Sequence, residues 1–494
     1  MNEKPERYRL APGLEISRII MGLWQIADME KDGRKLDFDR LAGDMAAYAS
    51  AGFDTFDMAD HYGSAEDVAG YFNVSRQAGR VKAPPPGILT KWCPTPAAVT
   101  SEIVEAAIRR ALDRLRAGKI DLMQLHWWLF QHPGWIDALN GLEALRAQGL
   151  IQHLGTTNFD TDHLQLAVSH GIPLVSNQVC FSLLDRRAAG RMSEFCLVSG
   201  VRLLAYGTLA GGLLTEKWHG RPRPAAGEVT DWSTLKYLRF VDVIGGWNEL
   251  QDILDCLAAV ARKHNVSMAN IATRWVLQQA AVAAVIVGAR LGDREHRTDN
   301  LKVFSFQLDG EDLETIAAAV AAMSPVPGDC GDEYRRPPFL TATGDLSHHL
   351  ASLPKVYSSG PVPGRPGRWR VDTGSIWEPL AGYSRAVKVG NRILVSGTTA
   401  THGSGLMIAP HNAEAQAVYI LDKIQASIEA LGGTMEDIVR TRIYLRDHND
   451  WEAVSRVHGR YLGHVRPANT LVEVSALIGG YAVEIEAEAV VEGS

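Results

Sequence analysis

Four side chains that can hold or transfer a proton stand where short apolar runs end in the first third of the chain. They are Asp57 in TFDMAD, Tyr62 five residues later, Lys91 in GILTKW and His126 in DLMQLHW. A phenol with a pKa of roughly 10 is a weak acid at neutral pH unless its neighbours tune it. An ammonium stabilises phenolate, a carboxylate keeps that ammonium charged, and an imidazole can orient a carbonyl oxygen. Together these residue types predict proton transfer at an oxygen atom.

The elements that carry these residues predict how they meet. Up to about residue 323, apolar runs bounded by Gly, Pro or Asp alternate with amphipathic segments, which indicates buried strands alternating with helices. The eight runs are 18–24, 55–60, 87–92, 121–127, 151–157, 174–179, 201–206 and 284–289. Eight strands that alternate with helices predict an α/β fold, specifically a (β/α)8 TIM barrel over residues 1–323. In such a barrel the catalytic residues lie at the carboxyl ends of the strands. The alternative is a doubly wound sheet, but it would normally carry a GxGxxG motif, and none occurs.

Amphipathic periodicity is clearest in segment 101–116. Ile103, Ala107, Ala111 and Leu115 recur at every fourth position, with Val104, Ile108 and Leu112 beside them. This spacing predicts a helix with one apolar stripe. The remaining helices of the barrel are predicted at 39–50, 65–72, 135–147, 161–169, 186–198, 250–263 and 294–300.

The chain changes character after the barrel. Nine of its 22 prolines fall in 324–379, which predicts a Pro/Gly-rich linker. From 380 to 494 the pattern predicts a smaller α+β domain with a hairpin around Gly390-Asn391 and a helix that stops at Gly432-Gly433. Further strands are expected at 439–447, 470–476 and 482–491, with a helix at 451–462.

Composition narrows the classes of protein. The net charge of −7 over 494 residues argues against a nucleic-acid or membrane-surface binder. No CxxC occurs among the five cysteines, so neither a metal site nor a disulfide framework is indicated, and a reducing, cytoplasmic setting is expected. No run approaches 18 uncharged apolar residues, and no transmembrane helix is predicted.

Four further segments, taken in order with the proton-handling residues, resemble the aldo-keto reductase family. They are GTTNF (155–159), NQVCFSLLDR (177–186), AYGTLAGGLL (205–214) and VIVGARLGDREHRTDNL (285–301). The resemblance implies a catalytic tetrad of Asp57, Tyr62, Lys91 and His126, with Tyr62 as the general acid. It also implies NADP(H) bound on a barrel without a Rossmann motif, which accounts for the missing GxGxxG.

The same resemblance assigns the cofactor contacts. Thr157, Asn158 and Gln178 would touch the nicotinamide carboxamide, and Tyr206 would stack on the ring. The pyrophosphate and adenosine ends would lie along a longer set, which is Gly207, Leu209, Gly211, Gly288, Arg290, Arg294 and Asn300. The alternative for Asn158 and Gln178 is a role as buried loop clamps.

Cofactor preference depends on the arginines of the last segment. Arg290, Arg294 and Arg297 cluster near the start of a predicted helix. A 2′-phosphate favours guanidinium groups and helix N-terminal amides, so the cluster favours NADPH over NADH. A solvated arginine face is the alternative, because the segment is about two residues longer than the commonest form of the family.

Aromatic residues near the strand ends predict the walls of a pocket. Trp24, Trp92 and Trp127, with Trp128 beside them, either line this pocket or belong to the core. Residues 216–247 form a long insertion after the seventh strand, and its position predicts a cover over the cofactor or substrate.

Residues 380–494 resemble the Rid family of the YjgF type, which has a chorismate-mutase-like fold. The matching segments are 382–399, 438–454 and 466–491, and the resemblance implies trimers with clefts between subunits. Active members hydrolyse imines or enamines, and their key arginine holds the substrate carboxylate. Asn469 replaces that arginine here, with Arg466 and Arg442 as substitutes, while Tyr383, Ser396 and Glu486 match cleft positions.

These observations predict an NADPH-dependent reductase of a small-molecule aldehyde or ketone. The reverse oxidation of an alcohol or aldose uses the same residues. The Rid-like domain is expected to serve oligomerisation or ligand binding. Two alternatives stay open, a bifunctional reductase and imine hydrolase, and a non-catalytic scaffold that senses NADPH.

Overall fold

The computed structural model describes residues 4–26, 36–292, 295–335, 355–403 and 405–492. Two units follow one another along the chain, a closed barrel of eight strands and a mixed sheet of seven strands. The barrel carries the predicted proton-handling residues at its strand ends. The sheet unit packs its helices against the outside of the barrel.

The eight predicted parallel strands close into a barrel, in the order β10-β3-β4-β5-β6-β7-β8-β9. They are β3 (Ile19–Gly22), β4 (Thr55–Asp57), β5 (Gly87–Trp92), β6 (Ile120–His126), β7 (Ile151–Thr157), β8 (Leu174–Cys180), β9 (Arg202–Tyr206) and β10 (Val282–Gly288). Their side chains are almost entirely buried, as expected for parallel strands covered on both faces. The TIM-barrel prediction is confirmed.

An antiparallel hairpin that the sequence analysis did not predict precedes the barrel. Its strands are β1 (Arg7–Ala11) and β2 (Leu14–Ser17), joined through Gly13 at φ +75°. Leu10, Leu14 and Ile16 form one apolar cluster with barrel residues such as Leu122. The hairpin therefore adds to the core at the barrel interior.

The outer layer of the barrel consists of eleven helices among the described residues. They are α1 (Phe38–Ser50), α2 (Ala65–Gln77), α3 (Ser101–Leu115), α4 (Gly134–Ala147), α5 (Thr161–Ser169), α6 (Arg191–Ser199), α7 (Trp232–Ile244), α8 (Trp247–His264), α9 (Met268–Leu277), α10 (Arg297–Lys302) and α11 (Gly310–Ala321). Helix α7 lies within the predicted insertion, and α2 runs five residues beyond its predicted end.

Helix α3 follows its predicted stripe with one exception. The Thr100 side chain caps the helix by accepting a hydrogen bond from the Ile103 amide, and Val104, Ile108 and Leu112 are buried. Ile103 is 46% exposed. A spacing of four residues drifts around a helix that has 3.6 residues per turn, so the first member of the predicted row has rotated away from the core.

The C-terminal unit has the sheet order β11-β12-β13-β14-β19-β17-β18. Its strands are β11 (Ser359–Pro361), β12 (Arg368–Val371), β13 (Ala386–Val389), β14 (Arg392–Thr398), β17 (Ile438–Leu445), β18 (Ala468–Glu473) and β19 (Val483–Val490), with a separate small pair of β15 (Thr401–His402) and β16 (Leu406–Met407). Its helices are α12 (Trp377–Ala381), α13 (Ala413–Ala430) and α14 (Trp451–Leu462). Burial in β19 alternates strictly, as predicted.

The segment predicted as a linker contains regular structure. Strands β11 and β12 extend the C-terminal sheet by antiparallel pairing with β13, so the prediction of an irregular stretch over 324–379 was incomplete. Pro361 is tolerated because β11 is an edge strand, where a missing amide donor costs little. At the other end of the segment, Asp332–Tyr334 form a 3-10 turn packed against the barrel.

Helix α13 joins the two units. Fifteen of its 18 residues are buried, because it packs on the C-terminal sheet on one side and against α5 of the barrel on the other. Polar contacts cross this boundary, among them His163 to Asp422 at 2.8 Å and His402 to Asp137 at 2.9 Å. Among the described residues, no helix combines the length and apolar character required to cross a bilayer.

Candidate active site

The predicted tetrad converges at the carboxyl ends of β4, β5 and β6. Lys91 Nζ donates to Asp57 Oδ2 at 2.6 Å and to the Met58 carbonyl at 2.9 Å, and both side chains of this ion pair are almost fully buried. The same ammonium lies 4.9 Å from the centroid of the Tyr62 ring. The buried cation is thus fixed by a carboxylate and placed beside the phenol.

Two amides complete the environment of Asp57. Gln178 Nε2 donates to Asp57 Oδ1 at 2.8 Å, and Gln124 Nε2 donates to the same oxygen at 3.2 Å. A buried carboxylate is stable when its oxygens are all engaged by donors. Gln124 was not singled out from the sequence, although it lies two residues before His126 on β6, on the same inward face of the strand.

His126 is the fourth member, and it is 4% exposed. Burial, together with the positive charges of His61, Arg335, Lys91 and Lys236, lowers the pKa of His126 well below its usual value. Its Nε2 lies 3.2 Å from Asn158 Nδ2, and Asn158 Oδ1 accepts a hydrogen bond from the Tyr206 hydroxyl at 2.9 Å. The imidazole is therefore neutral at neutral pH and is held by a neighbouring amide.

A cavity of about 760 Å³ opens above these residues. Every described residue predicted for the tetrad or the cofactor lines it. They are Asp57, Tyr62, Lys91, His126, Thr157, Asn158, Gln178, Tyr206, Gly207, Leu209, Gly211, Gly288, Arg290 and Asn300. Arg294 lies outside the described residues. The volume falls in the range of small-molecule sites.

Two buried polar atoms along this cavity have no hydrogen-bond partner among the described residues. They are Thr157 Oγ1 at the nicotinamide end of the predicted cofactor path and Asn300 Nδ2 at its adenosine end. Buried polar groups are normally paired, so each unpaired group indicates a missing ligand or water. Their positions fit a long polar cofactor that extends from β7 to α10.

The insertion after β9 covers one side of the cavity. Gly207 and Gly211 both have φ values in the left-handed region, and a Cβ on Gly207 would lie 2.1 Å from the Tyr237 hydroxyl of α7. A Cβ on Gly211 would meet the Ser233 backbone at 2.7 Å. Both glycines therefore allow α7 to approach the turn after β9, as the predicted cover requires.

The two described arginines of segment 285–301, Arg290 and Arg297, do not both face the cavity. Arg290 is exposed and lines the cavity. Arg297 is ion-paired with Glu295 at 2.8 Å and lies over the Tyr48 ring, and it is not part of the cavity lining. Ser267, Asp299 and His296 line this end as well, and the sequence analysis did not identify them.

Of the tryptophans, Trp24 lines the cavity and its ring lies 4.8 Å from that of Tyr62. Trp92 and Trp127 belong instead to the main hydrophobic core, so their prediction as pocket walls was wrong. Each directly follows an inward-facing catalytic position, Lys91 or His126, and successive side chains along a strand point to opposite faces. The Trp128 ring lies 4.1 Å from the His126 ring, centroid to centroid, and its Nε1 donates a hydrogen bond to Cys93 Sγ. Trp128 is only 1% exposed, and it is not part of the cavity lining.

A tail segment after the barrel contributes a cavity residue that the sequence analysis missed. Tyr334 lines the cavity, contacts Lys236 through its hydroxyl, and lies 5.7 Å from the His126 ring. Glu333 Oε1 accepts a hydrogen bond from the Tyr206 hydroxyl at 3.0 Å, while its Oε2 pairs with Arg187 at 2.7 Å. No local pattern in 324–335 indicates this role, because the contacts depend on how the tail folds back.

The predicted Rid-like cleft residues do not form one cluster within the single chain. Glu486 accepts from Tyr444 Oη at 2.5 Å and pairs with Arg442 at 3.3 Å on the face of the sheet away from the helices. Asn469 is turned the other way, and accepts from Thr441, which faces α14. Tyr383 and Ser396 bond to Arg385 and Ser384, and Arg466 adopts a left-handed φ of +56° after α14.

Comparisons with known proteins identify the families of the two units. Residues 18–321 match the Aldo/keto reductase family model, and residues 373–491 match the model described as Endoribonuclease L-PSP. The chain is 26% identical over 321 residues to the chloroplastic pyridoxal reductase of Arabidopsis thaliana, covering 62% of this chain and 84% of that protein. A glycerol dehydrogenase of Gluconobacter oxydans shares the fold, with a TM-score of 0.53 and 21% identity over 67% of this chain and 98% of that one.

The C-terminal unit has its own relatives. It is 34% identical over 110 residues to a RutC family protein of Pyrococcus abyssi, covering 22% of this chain and 87% of that protein. The barrel match spans more than half of the chain. The protein therefore belongs to the aldo/keto reductase family, as an oxidoreductase-type barrel fused to a C-terminal domain of the YjgF/RutC/L-PSP (Rid) family.

Proposed function

We propose that the barrel is an NADPH-dependent carbonyl reductase acting on a small aldehyde or ketone. The observation that carries the proposal is the buried Lys91–Asp57 pair beside Tyr62 and His126. The cavity above them is lined by the described residues that were predicted to contact the cofactor. The reverse oxidation of an alcohol uses the same groups.

NADPH would be held by Thr157, Asn158 and Gln178 at its nicotinamide end, Tyr206 to Gly211 along its middle, and Asn300 with Arg290 at its adenosine end. When bound, it supplies the hydride for the carbonyl carbon. Thr157 and Asn300 carry the two unpaired buried atoms, which is the observation that supports this placement.

The chain itself handles the proton. Tyr62 donates its phenolic proton to the carbonyl oxygen, and the Lys91 ammonium stabilises the phenolate left behind. Asp57 keeps that ammonium in place. His126, neutral because of its lowered pKa, orients the carbonyl oxygen without adding a charge to the site.

Substitution of Tyr62→Phe tests this mechanism. Removal of the general acid is expected to lower turnover by about 10²–10⁴-fold, with NADPH affinity unchanged. The matched control is Tyr71→Phe, which removes a hydroxyl bonded to Asp39 outside the cavity lining and should retain activity. Normal turnover in Tyr62→Phe would refute the proposed general acid.

Preference for NADPH rests on Arg290. A charge-assisted contact contributes about 1.5–3 kcal/mol, so Arg290→Ala is expected to weaken NADPH binding by roughly 10–100-fold. Binding of NADH, which lacks the 2′-phosphate, should change little. Equal losses for both cofactors would assign Arg290 to another part of the site.

For the C-terminal domain we propose assembly of the chain into a homo-oligomer, a trimer by analogy with its family. The face of the sheet away from its helices, which we call the open face, includes Arg442, Tyr444, Glu486 and Glu488. Leu394, 43% exposed, and Val472, 41% exposed, are paired in register with Glu488 and Tyr444 and lie on the same face. Exposed apolar side chains on a sheet face favour cover by another copy.

Light scattering tests this assembly on the full chain. Particles of three 53.9 kDa chains are expected, and Leu394→Asp should dissociate them. Val198→Asp, at a position on the barrel surface that is 90% exposed, is the control and should leave the mass unchanged. A monomeric wild-type chain at micromolar concentration would contradict the proposal.

The alternative for this domain is imine hydrolysis, which is tested by ammonia release from 2-aminoacrylate. No acceleration is expected, because Asn469 cannot replace an arginine.

A further inference from the structure

The loop that carries Asn158 is three residues long and is held at both ends. It runs from the end of β7 at Thr157 to the start of α5 at Thr161. Asn158 has a φ of +56°, a conformation that costs free energy for a residue other than glycine. Its side chain contacts His126 at 3.2 Å. A strained residue at this place persists only if its surroundings fix it.

Asp160 fixes the far end of the loop. It caps α5 by accepting a hydrogen bond from the His163 amide at 2.9 Å, and its carboxylate also lies 2.7 Å from His163 Nδ1. The guanidinium of Arg335 contacts the Asn158 carbonyl and lies 3.9 Å from Asp160 Oδ2. The loop is therefore bracketed by one imidazole and one guanidinium.

The imidazole of His163 is in turn held by the other domain. Its Nε2 lies 2.8 Å from Asp422 Oδ2 on α13, and Asp422 Oδ1 accepts from the Tyr461 hydroxyl of α14 at 2.9 Å. The Phe130 ring stacks on the His163 ring with 3.7 Å between centroids, and the Arg335 guanidinium lies 4.3 Å from the centroid of the Phe130 ring. His163 is 5% exposed and Asp422 is 3% exposed.

Charged side chains from both domains surround His163. Asp160 on α5 and Asp422 on α13 are the two anions that touch it, Arg335 lies against Asp160, and Asp329 accepts from the Thr161 amide. Burial disfavours the imidazolium, but the two carboxylates outweigh it and raise the pKa of His163 to about 10. A charged imidazole that bridges two carboxylates joins the two domains at this point.

We propose that Asp422, in the C-terminal domain, is a positioning residue for the reductase reaction of the barrel. It holds the His163 imidazolium against Asp160, and Asp160 holds the loop that places Asn158 against the catalytic His126. The inference rests on the proposed function, because the reaction it concerns is the carbonyl reduction at that site.

The test compares pH–rate profiles of the full-length chain with NADPH and a carbonyl substrate. Asp422→Asn removes one of the two anions around His163, so its proton is lost roughly 1–3 pH units lower. Above that pH Asp160 loses its cation, and the rate should fall. The alkaline limb of kcat, which in the wild type also includes the deprotonation of the general acid Tyr62, is expected to lie at lower pH in Asp422→Asn than in the wild-type chain.

The matched control is Asp137→Asn, which also removes a carboxylate bonded to a histidine across the domain boundary, in this case His402. The Asp137→Asn variant should keep the wild-type pH–rate profile, because the Asp137–His402 pair has no hydrogen bond to the loop that carries Asn158 in the described structure. An Asp422→Asn profile that coincides with the wild-type one would overturn the proposal. Should this variant fail to fold, Asp422→Glu displaces the same charge by one methylene, and a limb shift of the same sign is expected.

The outcomes separate the two proposals. A wild-type chain that turns over carbonyls, combined with an unshifted Asp422→Asn limb, refutes the positioning role alone. A wild-type chain that turns over no carbonyl substrate and binds no NADPH refutes the reductase proposal and the positioning role with it. A shifted limb in Asp422→Asn and none in Asp137→Asn supports both.

Discussion

The barrel mouth and the open face of the C-terminal sheet both bring ionisable side chains together from neighbouring strands, but with different results. At the mouth, parallel strands end together, so Asp57, Lys91 and His126 converge from three strands into one buried cavity. In the mixed C-terminal sheet, the alternation of side chains along each strand places Glu486 and Asn469 on opposite faces. The parallel barrel therefore brings its candidate site together within one chain, whereas the proposed cleft of the sheet would need a second copy.

The largest effect is expected when the buried ion pair at the mouth is broken. Lys91→Met leaves the Asp57 carboxylate buried without its cation, which should cost about 3–5 kcal/mol of unfolding free energy. Turnover should fall by about 10²–10⁴-fold, because the phenolate loses its stabilising charge. Urea unfolding and NADPH-monitored rates measure both quantities.

A surface lysine provides the control for this prediction. Lys263 contacts three carboxylates, Asp309, Glu311 and Asp312, from an exposed position. Lys263→Met should change stability far less, because the ammonium, Asp309 and Glu311 are exposed and screened by solvent, and the buried Asp312 keeps its bond to His264. Similar losses in the two variants would remove the distinction between a buried and a solvated cation.

The second effect concerns the boundary between the regions. His163 has its pKa raised to about 10, so its stabilising contribution is complete below its unfolded pKa of about 6.5 and is lost as the pH rises toward 10. Unfolding free energy should decrease by up to about 1.4 kcal/mol per pH unit between these values from this group. Urea titrations at pH 7, 8 and 9 measure the slope, and His163→Gln should flatten it. An unchanged slope in that variant would show that other groups cause it.

These two predictions concern residues that differ in how far the sequence revealed them. The tetrad was predictable because strand ends in a barrel share one rim, and because the motifs there are local. The bridge from His163 to Asp422 was not, since the two residues are 259 positions apart and no motif marks either. Trp92 and Trp127 were misplaced because adjacency in sequence was taken for adjacency in the pocket, although strand alternation turns them into the core.

A smaller effect is expected at Tyr334, which the tail adds to the mouth. Tyr334→Phe removes the hydroxyl that contacts Lys236 and Tyr206 but keeps the ring beside His126. The loss of about 1 kcal/mol of hydrogen bonding should change KM by roughly fivefold, with kcat nearly unchanged. Steady-state kinetics measure both constants, and equal falls in kcat and kcat/KM, with KM unchanged, would place Tyr334 in the chemistry.

The smallest effect is expected at the sheet. Asn469→Ala removes one hydrogen bond to Thr441 on the helix side, which should cost about 1 kcal/mol or less. Reductase turnover should be unaffected, since the residue lies in the other domain and its hydrogen bond is to Thr441 of the same sheet. A marked loss of turnover would mean that the sheet communicates with the mouth by a route other than the His163 bridge.

Helix α13 also has a consequence for separating the two domains. It is buried around most of its circumference, with alanines at 413, 415, 417, 426 and 430. Towards the barrel, however, it presents polar side chains, because Glu414 bonds to Gln165, Asp422 to His163 and Gln425 to Gln131. A cut between the domains would therefore expose groups on this helix that water can solvate, and not a continuous apolar face.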